Sequence, residues 1–319
     1  MEDVPADQVR LLTKVARMYH ERGLRQPQIA EQLHISQPRV SRLLKRATDL
    51  GIVRTTVVSP RGVHSELEER IEQAYGLTEV VVADTDELAD EYQIQRALGS
   101  AAAVYLETTL IGRERIGVSS WSSTLLAAVE AMRPRPTQVA EQVVQMLGGV
   151  GNITAQTQAT RITGGLARVT GATAVFLPAP GLLASGDMRE MFLTDPNIGP
   201  VLRACDELTM ALVGIGSLEP SPLLRESGNA FAENELPALT REGAVGDVCL
   251  RFFDENGEHV GSGLDERVLG ISVAALRAVP RRIGIAGGAR KYTAIHAALR
   301  GGWVNVLITD LQIAQRLVG

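Results

Sequence analysis

The first fifty residues carry three apolar stripes in quick succession. Leu11, Leu12, Val15, Ala16 and Tyr19 recur at helical spacing and predict an amphipathic helix over residues 6–22. Gly23 supplies a left-handed stop. Ile29, Ala30 and Leu33 stripe a short second helix that starts near Pro27, where proline is tolerated in a first turn. His34, Ile35 and Ser36 form a turn, with Ser36 as N-cap and Pro38 in the first turn of a third helix. Val40, Leu43, Leu44, Ala47 and Leu50 are its buried stripe, and Gly51 ends it. Residues 52–60, IVRTTVVSP, alternate and are rich in β-branched side chains, as in a small wing strand or the first strand of a linker.

Pro60 and Gly62 then break regular structure, which divides the chain into a head (1–58), a linker (59–68) and a body (69–319). In the body, strand-like and helix-like segments alternate. Strands are expected at 79–84, 115–120, 172–181, 208–217, 281–288 and 304–310, and an antiparallel hairpin strand at 245–254. Helices are expected at 87–109, 123–132, from about 153, at 290–299 and at the end of the chain. This order predicts a parallel sheet covered by helices on both faces.

Polar residues on the third helix give the head its chemistry. A small Ala30 where two helices would cross, apolar residues on both sides of the turn and a cap on the next helix form a helix-turn-helix pattern. Gln37, Arg39, Ser41 and Arg42 are left on the outer face, and Gln and Arg side chains suit base edges in a major groove. Lys45 and Arg46 suit phosphates, and Gln28, Ser36 and Pro38 flank the same face. The bland alternative is a three-helix bundle with a solvated basic face. Charge alone does not decide between them; the agreement of turn chemistry, cap, stripe and basic face favours the first reading. Of 32 Lys and Arg against 37 Asp and Glu, residues 1–58 hold 10 and 6, so the head is net +4 and the remainder net −9. A single such unit has a small footprint on double-stranded operator DNA, so a homo-oligomer, dimer or tetramer, is expected to read repeated half-sites.

In the body the chemistry is expected at the carboxyl ends of the strands. Those exits read SSWSST (119–124), LGGVGN (147–152), PAPG (178–181), GIGS (214–217) and AGGARK (286–291). Small residues entering a helix let backbone N–H groups approach an anion. Ser122, Ser123 and Thr124 add hydroxyls, and Lys291 adds a charge that a bound anion would justify. Each motif also has a structural reading, a turn glycine or a helix cap, and GIGS is the weakest. Asp247 is either a hydroxyl acceptor for a sugar or a solvent-facing residue of an edge strand. Together the exits point to a phosphorylated or polyhydroxylated ligand.

Several classes recede. No apolar run is long enough to span a membrane, and MEDVPADQVR is unlike a secretory leader. Two cysteines make neither a disulfide framework nor a thiolate metal site, so a reduced, cytoplasmic protein without cofactor or metal is expected.

The chain resembles the SorC/DeoR-type sugar-binding transcriptional regulators over nearly its whole length. The head matches in ARMYHERGLRQPQIAEQLHISQPRVSRLLKRATDLGIV, the body in IGVSSWSSTLLAAV, VVQMLGGVG, LPAPG, ALVGIGS, GAVGDVCLRFFDENG and GISVAALRAVPRRIGIAGGARKYTAIHAAL. The resemblance implies a Rossmann-like α/β effector domain related to sugar-phosphate isomerases and deaminases, phosphorylated sugars as inducers, tetramers built from dimers, and most often repression. It implies that the loop Ser120, Trp121, Ser122, Ser123, Thr124 holds a phosphate, that Asp247 contacts sugar hydroxyls and that Lys291 contacts the ligand. Trp121 departs from the small residues usual there. Gly149, Asn152, Gln156, Arg161 and Gly216 join the candidate effector site.

A sugar-phosphate isomerase or deaminase with an accessory head is the competing reading. It needs converging acids and bases, yet His64, His259 and His296 lie at no strand exit. A pure oligomerisation module leaves the polar strand exits unexplained.

Overall fold

The computed structural model describes residues 6–53, 62–85, 90–219 and 235–319, divided into two units, Met1–Pro60 and Arg61–Gly319. The first unit is a three-helix cluster: α1 (Ala6–His20), α2 (Gln26–Gln32) and α3 (Gln37–Asp49). Leu12, Val15, Ile29, Ala30, Val40, Leu43, Leu44 and Ala47 form its core. Two stripe positions differ from expectation. Tyr19 is exposed and Met18 buried, because the chain turning at Gly23 returns beside Met18, with the Leu24 N–H on its carbonyl at 3.1 Å. Leu50 is exposed because Ile52 and Val53 fold back instead, both N–H groups on the Ala47 carbonyl at 2.9 and 3.1 Å. The wing or linker strand expected over 52–60 lies mostly outside the described residues.

The second unit is built on a seven-stranded sheet. In chain order its elements are α4 (Ser65–Tyr75), β1 (Glu79–Ala83), α5 (Glu91–Thr109), β2 (Arg115–Val118), α6 (Ser123–Ala131), β3 (Gln142–Gln145), α7 (Ile153–Thr170) and β4 (Thr173–Val175). Then follow α8 (Gly186–Thr194), α9 (Gly199–Ala204), β5 (Met210–Val213), β6 (Gly216–Ser217), α10 (Glu235–Arg241), β7 (Ala244–Val248) and β8 (Arg251–Asp254). The last are α11 (Val273–Ala278), β9 (Arg281–Ile285), α12 (Tyr292–Arg300), β10 (Val306–Asp310) and α13 (Leu311–Val318). Residues 65–68, inside the stretch read as linker, are the first turn of α4.

The sheet order is β1-β10-β9-β5-β2-β3-β4, and every pairing in it is parallel. Alternate side chains feed two cores. Ala211, Val213 and Leu307 join one; Met210, Leu212, Val306 and Ile308 join the other. Winding runs one way from β2 through β3 to β4 and the other way from β5 through β9 to β10. Neighbouring β2 and β5 therefore flank the switch point where open α/β sheets take ligands.

The segment 245–254, expected as one strand, is a whole hairpin. β7 and β8 pair antiparallel with Val248 opposite Arg251, and β6 adds to β7 through Gly216 opposite Asp247. Cys249 and Leu250 form the turn at φ 54° and 60°, the left-handed conformation of a two-residue turn usually built from Asn and Gly.

Candidate functional site

Every outward candidate on the head is exposed: Gln28, Ser36, Gln37, Pro38, Arg39, Ser41, Arg42, Lys45 and Arg46. Their placement follows from the α3 stripe, since burying Val40, Leu43, Leu44 and Ala47 turns positions 39, 42, 45 and 46 outward. His34, at φ 53°, makes the turn, and the Ile35 N–H closes it on the Ala30 carbonyl at 3.0 Å. Ser36 occupies the N-cap position, but its hydroxyl makes no capping bond. Gln28 is partly committed, because its side-chain oxygen accepts from the Arg25 N–H at 2.9 Å. Arg39, Arg42, Lys45 and Arg46 have no ion-pair partner among the described residues.

In the body, a cleft of about 670 Å³ opens at the carboxyl ends of β2, β5 and β9. Ser119 and Trp121–Thr124 follow β2, Gly214–Ser217 follow β5, and Gly287, Arg290 and Lys291 follow β9. The β7–β8 hairpin closes one side with Asp247, Cys249 and Leu250. The GIGS segment, weakest as a motif, is central here. Gly216 faces Asp247 so closely that a Cβ would overlap the carboxylate.

Asp247 accepts the Leu250 N–H at Oδ2, 2.9 Å. Burial pushes its carboxyl up to about 6, against the opposing pull of that hydrogen bond and of the Lys291 charge. Burial lowers Lys291 in turn, while Asp247 and Glu91 pull it back up. The Lys291 ammonium donates to the Ile215 carbonyl at 3.0 Å. Lys291 closes a short 3₁₀ turn, Ala289–Lys291, just ahead of α12, one step before the helical turn expected for it. That turn is anchored by buried Asp310, whose Oδ2 accepts the Gly288 N–H at 2.7 Å while Oδ1 caps α13.

Ser122 caps α6, its hydroxyl accepting the Leu125 N–H at 3.2 Å. Trp121 packs with Leu147 and Leu250, and its buried indole nitrogen has no hydrogen-bond partner. Other candidates lie outside the lining. Ser120 is fully buried, donating to the Leu147 carbonyl and accepting from the Gln145 amide at 2.9 Å. Gly149 packs on that same Gln145. Asn152 is exposed outside the cleft. Gln156 and Arg161 line a second groove, between α6 and α7, where Arg161 pairs with Glu130. Gln158 lines the cleft instead, since two residues along a helix turn a side chain by about 200°.

Sequence reasoning missed one whole wall. Glu91, Ile94, Gln95 and Leu98 recur at i, i+3, i+4 and i+7 on α5 and all line the cleft. Arg290 ties that wall to the segment after β6, donating to Glu91 at 2.6 Å and Glu219 at 2.7 Å. None of the histidines lines the cleft. Among the described residues, no cluster of three His, Cys, Asp or Glu side chains is placed to hold a metal ion, and no helix is long and apolar enough to cross a membrane.

A helix-turn-helix unit joined to a switch-point cleft defines a class: regulators that couple DNA to a small ligand. Residues 6–53 match the model of a helix-turn-helix domain, and residues 61–319 match the Sugar-bind family of sugar-binding domains. The chain belongs to the SorC/DeoR-type family of sugar-binding transcriptional regulators. It is 34% identical to the deoxyribonucleoside regulator of Bacillus subtilis over 310 residues, covering 97% of each chain. It is 32% identical to the sorbitol operon regulator of Klebsiella pneumoniae over 317 residues, covering 98% of this chain and 99% of that one. The crystal structure of full-length SorC from Klebsiella pneumoniae superposes with a TM-score of 0.74 at 31% identity, over 99% of this chain and 100% of that one. The sugar-binding domain of DeoR from Pseudomonas syringae pv. tomato superposes with a TM-score of 0.64 at 40% identity, over 81% of this chain and 100% of that one.

Proposed function

We propose that the chain is a cytoplasmic, ligand-controlled regulator of genes for carbohydrate or polyol catabolism. The α3 face binds operator DNA as a homo-oligomer. Arg39 and Arg42 read base edges, and Lys45 and Arg46 hold phosphates. The cleft binds a sugar, sugar phosphate or polyol, with Asp247 accepting from hydroxyls and Lys291 donating to the ligand. The names of two relatives, a deoxyribonucleoside regulator and a sorbitol operon regulator, support control by compounds of this class.

One observation carries the reading: three strand exits and the β7–β8 hairpin converge on a single cleft at the switch point. The ligand controls the chain by binding the DNA-competent and DNA-free states unequally. An isomerase or deaminase would need an acid and a base aimed at the sugar. Among the described residues, two of the three carboxylates lining the cleft, Glu91 and Glu219, are tied to Arg290, and no histidine reaches the cleft.

The test is a thermal-shift screen of the whole chain against free and phosphorylated sugars and polyols, followed by operator binding with each hit. A hit that shifts melting, changes operator affinity and is recovered unaltered supports the proposal. A hit that is consumed replaces it with the enzyme.

A further inference from the structure

We infer that the outer face of α7 is a contact between two copies of this chain, packed antiparallel about a two-fold axis; the inference rests on the homo-oligomer of the proposed function and gives it a surface. A groove of about 610 Å³ lies between α6 and α7 and shares no lining residue with the effector cleft. Its α7 side is a ridge of Ile153, Thr157, Thr160 and Gly164, at i, i+4, i+7 and i+11. Ile153 is 86% exposed, but a single open apolar side chain carries no message. Gly164 does. Glycine is the poorest helix former after proline, and this one sits inside an 18-residue helix. Its neighbour Gly165 is required, since a Cβ there would stand 2.7 Å from Val129 Cγ1. At Gly164 a Cβ would meet only the Phe176 ring at 3.6 Å, an ordinary contact. Nothing among the described residues calls for the missing side chain, whereas the close approach of another chain does.

The ridge is complementary to itself. An antiparallel copy of α7, set with its Ile153 over Gly164, brings Thr157 opposite Thr160, and each contact then occurs twice about the axis. The largest residue meets the smallest and the two middle residues match, so the helices stay evenly spaced over about 17 Å. The Thr157 and Thr160 hydroxyls donate to the Ile153 and Gln156 carbonyls at 2.7 and 2.9 Å, so burial leaves neither without a partner. Beside the ridge, Arg161 is paired with Glu130 of its own chain, so like charges do not face each other unpaired across the axis. The same helix turns Gln158 into the effector cleft. A helix that lines the effector site and joins two copies gives a bound effector a route to the geometry of the oligomer.

The experiment is light scattering after size exclusion on the full-length chain. Gly164→Leu should halve the mass of the wild-type assembly, with helix content unchanged by circular dichroism. Adding Ile153→Ala, which moves the bulk from one end of the ridge to the other, should restore the mass. A chain carrying Thr157→Cys, mixed with one carrying Thr160→Cys and oxidised with diamide, should crosslink to a dimer in higher yield than either chain alone. A mass unchanged by Gly164→Leu, or not restored by Ile153→Ala, overturns the inference and leaves the homo-oligomer standing. Failure of the mixed chains to crosslink does the same, whatever Gly164→Leu does to the fold. A monomeric wild type overturns both.

Discussion

Effector binding should depend on pH through Asp247. The carboxyl titrates near 6 in the folded chain, against an ordinary 3.8, because burial penalises its charge. A ligand hydroxyl donates to the ionised form, so affinity tracks the fraction ionised. That fraction is about 0.1 at pH 5 and about 0.9 at pH 7, and affinity should therefore rise about tenfold over this interval and then level off. The assay is calorimetry with an uncharged polyol or sugar, because the second ionisation of a phosphate ester falls in the same window. Asp247→Asn should bind weakly and without this slope. Folding stability has the opposite sign. Between about pH 4 and 6 the folded chain holds a proton that the unfolded chain has lost, so this group's contribution to stability falls as pH rises. The full cost of its ionisation is about 3 kcal/mol, an upper figure because the carboxylate borders an open cleft. A wild-type affinity that is flat from pH 5 to 7 would refute the idea that a hydroxyl docks on this carboxylate.

Arg39→Ala or Arg42→Ala should each cost about 1–3 kcal/mol of operator affinity by fluorescence anisotropy and leave effector affinity unchanged; a loss of both would contradict two separable sites. Lys45→Ala should weaken binding to all duplexes alike and reduce the salt slope by about one. Lys291→Ala should weaken the effector about tenfold or more and leave a regulator fixed in its ligand-free DNA state, read by reporter induction; normal induction would remove Lys291 from the site. Gly257→Ala should lower stability by about 3 kcal/mol or more in urea unfolding, because Gly257 sits at φ 78° and a Cβ would overlap the Ala297 carbonyl and the Gly301 backbone.

The parallel sheet was legible because its strands are short apolar runs that few other structures accommodate, as VLITD and MALV illustrate. The hairpin within 245–254 was not. Its turn is Cys249-Leu250, without the Gly or Asn that marks a two-residue turn. The α5 wall was hidden for a different reason. Glu91 and Gln95 at helical spacing look like any solvated face, and only the tertiary fold turns that face into a cleft. Conversely, Ser120 and Gly149 carried the expected chemistry and were spent on packing around Gln145, which sequence spacing does not register.

The Cys249-Leu250 turn also explains why Asp247 is so well placed. Two successive non-glycine residues in the left-handed region each cost about 1 kcal/mol or more. The turn persists because the surroundings over-determine it. Leu250 fills the cluster with Trp121 and Leu147, its N–H is held by Asp247, and Arg251 is locked to the Ile271 carbonyl and Asp265. Release of the Asp247 bond would remove one of these restraints. A ligand that draws Asp247 toward its hydroxyls therefore acts on a strained turn that also packs against the Trp121 loop. Unequal affinity for two arrangements of that turn is what a sensor needs, so Cys249→Asn with Leu250→Gly should keep effector binding but blunt the effector's change in operator affinity by fluorescence anisotropy; an unblunted response would refute a role for the turn.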